Sequence, residues 1–216
     1  MTVFVLGATG RTGKLIVREL LAEGYTVHAI ARRPAALVPH PNLKVFEGSP
    51  QDVMLLKKSM EGCSAILSSL NISRTSDFPW APLRSPATLL SEVLSKVITL
   101  SGQLGIKRII IVTAWGTDET KADIPSWFRW VIDHSNVGYP YRDHERQEQM
   151  IRNTDLDWTV VRPVGLTNST RPATAKVSID NVPCPGLTIS RLTTARFLLK
   201  VLREDLFIRQ LPVIFG

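Results

Sequence analysis

Residues 3–13 read VFVLGATGRTG. Val3, Phe4, Val5 and Leu6 are a short apolar run with β-branched members, and Gly7, Gly10 and Gly13 follow three residues apart. Lys14–Leu21 then has the periodicity of an amphipathic helix, with Leu15, Ile16 and Leu20 opposed to Glu19 and Glu23. A strand, a glycine turn and a helix in that order bind a dinucleotide. The first glycine permits the tight turn, the second lets a pyrophosphate approach the backbone, and the third lets helix and strand pack closely. The pyrophosphate rests on unpaired N–H groups at the positive end of the helix dipole. The stretch therefore predicts a cofactor-binding turn made of Gly7, Thr9, Gly10, Arg11, Thr12 and Gly13. An ordinary strand-to-helix loop is the bland alternative, and the strand and helix on either side argue against it.

Working outward, Tyr25–Ala31 alternates as a second strand and ends in Arg32-Arg33-Pro34. Domains that select NAD place an acidic residue about 20 residues beyond the glycines, on the ribose 2′-hydroxyl. Arginine stands in that neighbourhood here, and a guanidinium suits a 2′-phosphate. Arg32 and Arg33 thus point to NADP(H), with Arg32 nearer the strand end. Leu43–Glu47 reads as a third strand, and Asp52 as the cap of a helix through Met60. Ser64–Leu70 is a fourth strand whose end, Ser68, Ser69 and Leu70, should line the cofactor crevice. A loop over Ile72–Ser85 follows, of a length that is usually functional or mobile.

Further along, Pro86–Leu104 has helical apolar spacing, with Gly105 as its stop. Lys107–Thr113 has the continuous apolar centre of a strand buried on both faces. Pro125–Ser135 reads as a helix over the mouth of the site, Tyr141–Asn153 as a polar helix, and Trp158–Arg162 as a sixth strand closed by Pro163. Lys176–Ile179 is a short extra strand, Ser190–Leu202 a helix and Leu211–Phe215 a last strand. This alternation predicts an α/β chain with a doubly wound parallel sheet, in one domain over residues 1–216 with small substrate-side elements near its C-terminus.

A chain of 216 residues suffices for one well-cored α/β domain, and 44% hydrophobic with 21% charged residues is ordinary globular composition. No apolar run approaches the ~20 residues of a membrane span, and no signal-like segment opens the chain, so no membrane role and a cytoplasmic location are expected. Cys63 and Cys184 have no metal spacing, and free, buried thiols and no metal site are expected. The net charge of +7 invites a nucleic-acid reading, but the basic residues are scattered, so no nucleic-acid partner is expected.

The GATGRTG wording and its GxxGxxG spacing resemble the extended and atypical short-chain dehydrogenase/reductases. More narrowly they resemble the NAD(P)H-binding group that holds NmrA-like proteins and biliverdin/flavin reductases. Arg142-Asp143-His144, the run Asp157–Pro163 and the strand ending Val112-Thr113-Ala114 extend the likeness over most of the chain. The resemblance implies a Rossmann-type fold. It implies crevice positions for Ser68, Ser69, Leu70, Thr113 and Pro163, and an adenine-side loop at Gly48-Ser49 that lacks the acidic residue common there.

The superfamily usually carries a Tyr-x-x-x-Lys pair after strand five. Four residues beyond Tyr139 and Tyr141 stand Asp143 and Glu145, so the pair is absent. The resemblance instead implies hydride delivery to a large planar small-molecule acceptor (a flavin, tetrapyrrole or quinone) held by shape and stacking, with solvent supplying the proton. Thr113 and His144 are the side chains nominated for catalysis. His144 suits proton transfer near neutrality, or else makes a structural hydrogen bond on a helix surface. Trp115, Trp127 and Trp130 are nominated as an aromatic wall for the acceptor, with core packing as the alternative. A second implied function, also compatible with the missing pair, is a non-enzymatic regulator of the NmrA type that senses the dinucleotide. A reductase of an unrelated carbonyl compound is a third. The acceptor and the oligomeric state stay open.

Overall fold

The computed structural model describes residues 1–171 and 173–216. Its strands are β1 (Thr2–Leu6), β2 (Thr26–Ala31), β3 (Leu43–Glu47), β4 (Ala65–Ser68), β5 (Arg108–Val112), β6 (Asp157–Pro163), β7 (Gly165–Thr167), β8 (Lys176–Ser178), β9 (Thr188–Ser190) and β10 (Val213–Phe215). The helices are α1 (Arg11–Ala22), α2 (Val53–Met60), α3 (Leu89–Leu104), α4 (Ser126–His134), α5 (Gly138–Arg152) and α6 (Arg191–Arg203). The main sheet runs β3-β2-β1-β4-β5-β6-β10-β8, parallel except for the last pair, and β7 and β9 form a small parallel sheet. This is the Rossmann-type arrangement. Strand order reverses between β1 and β4, and at such a switch point a crevice opens beyond the strand ends.

The core follows the period of two along β1. Val3 and Val5 face the side covered by α1 and α6, through Ile16, Leu20, Leu198 and Leu202. Phe4 and Leu6 face the side covered by α2, α3 and α5, through Leu56, Met60, Leu90, Val97 and Ile151. Alternate side chains of a strand point to opposite faces, so one apolar run feeds both cores. Among the described residues no helix is long and apolar enough to cross a membrane.

Three helix starts differ from the periodicity. The first helix begins at Arg11 rather than Lys14, because Gly10 already serves as its N-cap. The third begins at Leu89 rather than Pro86: the Asp143 carboxylate accepts from Leu90 N at 2.7 Å and Ser91 N at 3.3 Å, so a residue on another helix sets this start. The fifth begins at Gly138, ahead of Tyr141, and takes Pro140 into its first turn, where a missing N–H costs nothing. The fourth strand is also shorter than expected, closing at Ser68. Cys63 is buried as expected, and burial pushes its thiol up to about 11. Cys184 is exposed instead, on the loop between β8 and β9.

Candidate functional site

The glycine turn owes its shape to three different constraints. Gly7 has φ +76°, and a Cβ there would lie 2.7 Å from backbone atoms of Ser69 and Leu70, so only glycine lets β1 and β4 end side by side. Gly10 donates its N–H to Gly7 O at 2.9 Å and caps α1 with backbone alone, leaving the first turn of that helix open to a ligand. A Cβ on Gly13 would run into the Gly7 carbonyl, so Gly13 sets the packing of α1 on the turn. A Cβ on Gly10 would meet only Gly7 O, at 3.1 Å.

The turn opens into a cleft of about 500 Å³, within the range of small-molecule and cofactor sites. The structure brings Gly7, Thr9, Gly10, Arg11, Thr12, Arg32, Ser69, Leu70, Thr113 and His144 onto its lining, together with Ser49 from the loop after β3. Ser68 ends β4, buried just below. Pro163 is buried in β6, where its carbonyl accepts from Trp115 N at 3.0 Å. Arg33 is exposed ahead of the turn at Pro34–Ala36 and does not line the cleft.

None of the three nominated tryptophans lines the cleft. Trp115 is buried in the core. Trp127 and Trp130 are 65% and 53% exposed on α4. That helix turns Phe128 and Ile132 inward, and Phe128 packs edge-on against Tyr141. Trp130 instead meets Trp80 and stacks on His134.

Behind the cleft lies a buried charge network. Glu148, fully buried on α5, accepts from Thr113 Oγ1 at 2.6 Å and from Arg162 through Nε at 3.1 Å and Nη2 at 2.5 Å. Arg162 is 2% exposed, and its Nη1 donates at 2.7 Å to Glu119, which also pairs with Arg152. Burial alone would raise the Glu119 carboxyl, but the Arg162 hydrogen bond and both arginines hold it down at about 2. These two carboxylates likewise hold Arg162 protonated, overcoming its burial. The Thr113 hydroxyl spends its proton on Glu148, so it presents lone pairs to the cleft.

His144 is buried, with 3% of its surface exposed, rather than placed on a helix surface. Gln147 settles its tautomer. The Gln147 amide nitrogen donates to Leu90 O at 3.2 Å, so its oxygen faces His144 Nδ1 at 3.1 Å and accepts a hydrogen bond from the Nδ1–H. Burial lowers the pKa of the ring, leaving Nε2 a bare acceptor at neutral pH. Tyr141 is unsuited to proton transfer: burial raises its pKa, and its hydroxyl donates to Trp115 O at 3.3 Å.

Sequence reasoning gives no role in the site to Asp143, Gln147, Glu148 or Arg162. A signal existed. Asp143, His144, Gln147, Glu148 and Ile151 have the spacing of a core-facing helix stripe, with polar residues at four of the five positions.

A family model described as NAD(P)H-binding matches residues 7–205. The chain belongs to this NAD(P)H-binding family. An oxidoreductase of Pestalotiopsis microspora is 30% identical over 184 residues, covering 77% of this chain and 67% of that one. Two solved structures share the fold. The anaerobilin reductase ChuY of Escherichia coli O157:H7 superposes with TM-score 0.81 at 19% identity, over 100% of this chain and 97% of that one. A short-chain dehydrogenase/reductase of Veillonella parvula, solved in complex with NADP, superposes with TM-score 0.79 at 16% identity, over 100% and 94%. The family's NAD(P)H fits the turn seen here: Gly7 and Gly13 sit where a Cβ would collide with backbone, and Gly10 leaves the helix start uncovered.

Proposed function

We propose that the protein is an NADPH-dependent reductase that passes hydride to a planar acceptor such as a flavin, tetrapyrrole or quinone. The observation that carries this reading is the cleft itself. An uncapped helix start and a guanidinium at the end of β2 share it with Thr113 and His144, and none of its lining residues is a tyrosine or a lysine. Arg32 has no carboxylate within ion-pair distance among the described residues, so it is free to grip a 2′-phosphate. The backbone N–H groups of Arg11 and Thr12 at the open first turn of α1 would hold the pyrophosphate.

A reduced nicotinamide supplies the hydride when bound. The chain's own residues orient and exclude water. Thr113 and His144 Nε2 both face the cleft as acceptors, Thr113 because of Glu148 and His144 because of Gln147. They suit N–H groups, such as a carboxamide or a ring N–H of the acceptor, and neither is a proton donor at neutral pH. The proton therefore comes from solvent, which a delocalised acceptor tolerates.

The test is NADPH oxidation with a panel of FMN, a quinone and a tetrapyrrole, against a blank without acceptor. Acceptor-dependent oxidation by at least one member supports the reading. Tight NADPH binding with no oxidation by any of them would favour a dinucleotide sensor.

A further inference from the structure

The lining of the cleft holds five arginines, Arg11, Arg32, Arg74, Arg84 and Arg191, against one carboxylate, Asp77. A dinucleotide accounts for Arg32 and the start of α1. The other three come from elsewhere: Arg74 and Arg84 lie on the segment joining β4 to α3, and Arg191 opens α6. That segment is more ordered than a loop of its length suggests. Thr75 N donates to Pro82 O at 2.9 Å and Arg84 N to Ser73 O at 2.8 Å, closing a small hairpin. Trp80 Nε1 ties it to His134 O at 2.9 Å.

Asp77 sits at the tip of this hairpin within the field of Arg11, Arg74 and Arg191, and these guanidiniums hold its carboxyl below the usual range. It makes a two-pronged pair with Arg11 at 3.0 and 2.9 Å, while its side chain is 80% exposed. Arg74 and Arg191 are aimed without being neutralised. Arg74 Nη1 donates to Phe78 O and Pro79 O, both at 3.1 Å. Arg191 Nη1 donates to Leu166 O at 3.2 Å and Asn168 Oδ1 at 2.7 Å. The remaining N–H groups of these two guanidiniums have no protein partner among the described residues. Arg191 also bears the nearby charge of Arg11 in a partly buried setting. Like charges gathered in a cleft and oriented by carbonyls are arranged for an anion that the protein itself does not provide in full.

We propose that Arg74 and Arg191, with Arg11 beside them, form a subsite for a phosphate or carboxylate arm of the acceptor, and that Asp77 is the stand-in anion this arm displaces. This rests on the reductase reading and narrows it to acceptors with an anionic substituent. An exposed pair such as Arg11–Asp77 is worth only ~0–1 kcal/mol, so a ligand anion can take its place.

The experiment is equilibrium binding to the protein saturated with NADP⁺, which keeps the dinucleotide site filled. FMN is compared with riboflavin by flavin fluorescence, and biliverdin with its dimethyl ester by absorbance. One pair varies a phosphate and the other a carboxylate, so together they tell which arm is taken. At least one charged member should bind about tenfold or more tighter than its neutral partner, the range of a charge-assisted contact. Arg191→Gln should erase that advantage and leave the neutral member unchanged. Asp77→Asn should move the other way, tightening the charged member by up to about fivefold. Equal binding within both pairs, or an Arg191→Gln loss shared equally by charged and neutral members, would overturn the subsite. Binding that discriminates by charge without NADPH oxidation would keep the subsite and sink the reductase reading. Oxidation with no discrimination would do the reverse.

Discussion

The two halves of the cleft are built by different means. The half that we propose holds the dinucleotide is a backbone construction: its shape comes from what Gly7, Gly10 and Gly13 lack, and its charge from N–H groups at a helix start. The half that we propose takes the acceptor is a side-chain construction. Thr113 and His144 take their hydrogen-bonding roles from Glu148 and Gln147, which sit behind them on α5. A backbone device is written in consecutive residues, whereas a side-chain network is assembled from elements far apart in the chain. The first half should therefore fail by steric collision and the second by unpaired charge.

The largest effect expected on the acceptor half comes from Glu148→Ala. It leaves Arg162, 2% exposed, without its buried partner, and removing one member of a buried pair costs about 3–5 kcal/mol. Denaturant unfolding should show that loss. A change below 1 kcal/mol would mean that Glu119 alone satisfies Arg162.

On the other half, Gly13→Ala drives a methyl into the Gly7 carbonyl. Overpacking of this kind costs about 1–3 kcal/mol, and shifting the turn should abolish dinucleotide binding as well. Gly10→Val is the sharper companion. Its Cβ meets a single backbone atom, so binding should be lost with a smaller change in the thermal midpoint. Binding retained in the valine variant would show that Gly10 does not face the phosphates.

The smallest effect is a pH dependence of the acceptor half. Burial holds the His144 pKa below its ordinary 6.5. The unfolded chain therefore takes up this proton first as pH falls, and stability drops. The margin of the unmodified protein over His144→Asn should be complete above pH 6.5 and shrink below it. A margin that grows toward acid would mean the ring is held charged.

The same contrast explains what could be read in advance. The parallel sheet and the glycine turn follow from local periodicity and from Gly7, Gly10 and Gly13, and the structure bears out that fold. Helix α5 is legible as a helix, but its polarity suggests exposure. Its polar residues Asp143, His144, Gln147 and Glu148 are buried, because partners on α3, at Thr113 just past β5, on β6 and within α5 itself satisfy them. The tryptophans suggested a stacking wall for a complementary reason. Aromatic character is visible in sequence, but the direction in which a short helix such as α4 turns is not. Arg191 lies far along the chain from Arg74 and Asp77, and no spacing rule links it to them.

Calorimetric titration of the unmodified protein with NADPH and with NADH, repeated on Arg32→Ala, tests most directly whether the backbone-built half is a phosphate-reading dinucleotide site. A charge-assisted contact contributes about 1.5–3 kcal/mol, so NADPH should bind roughly ten- to a hundredfold tighter, and Arg32→Ala should narrow or remove that preference. Equal dissociation constants for the two cofactors in the unmodified protein would contradict it.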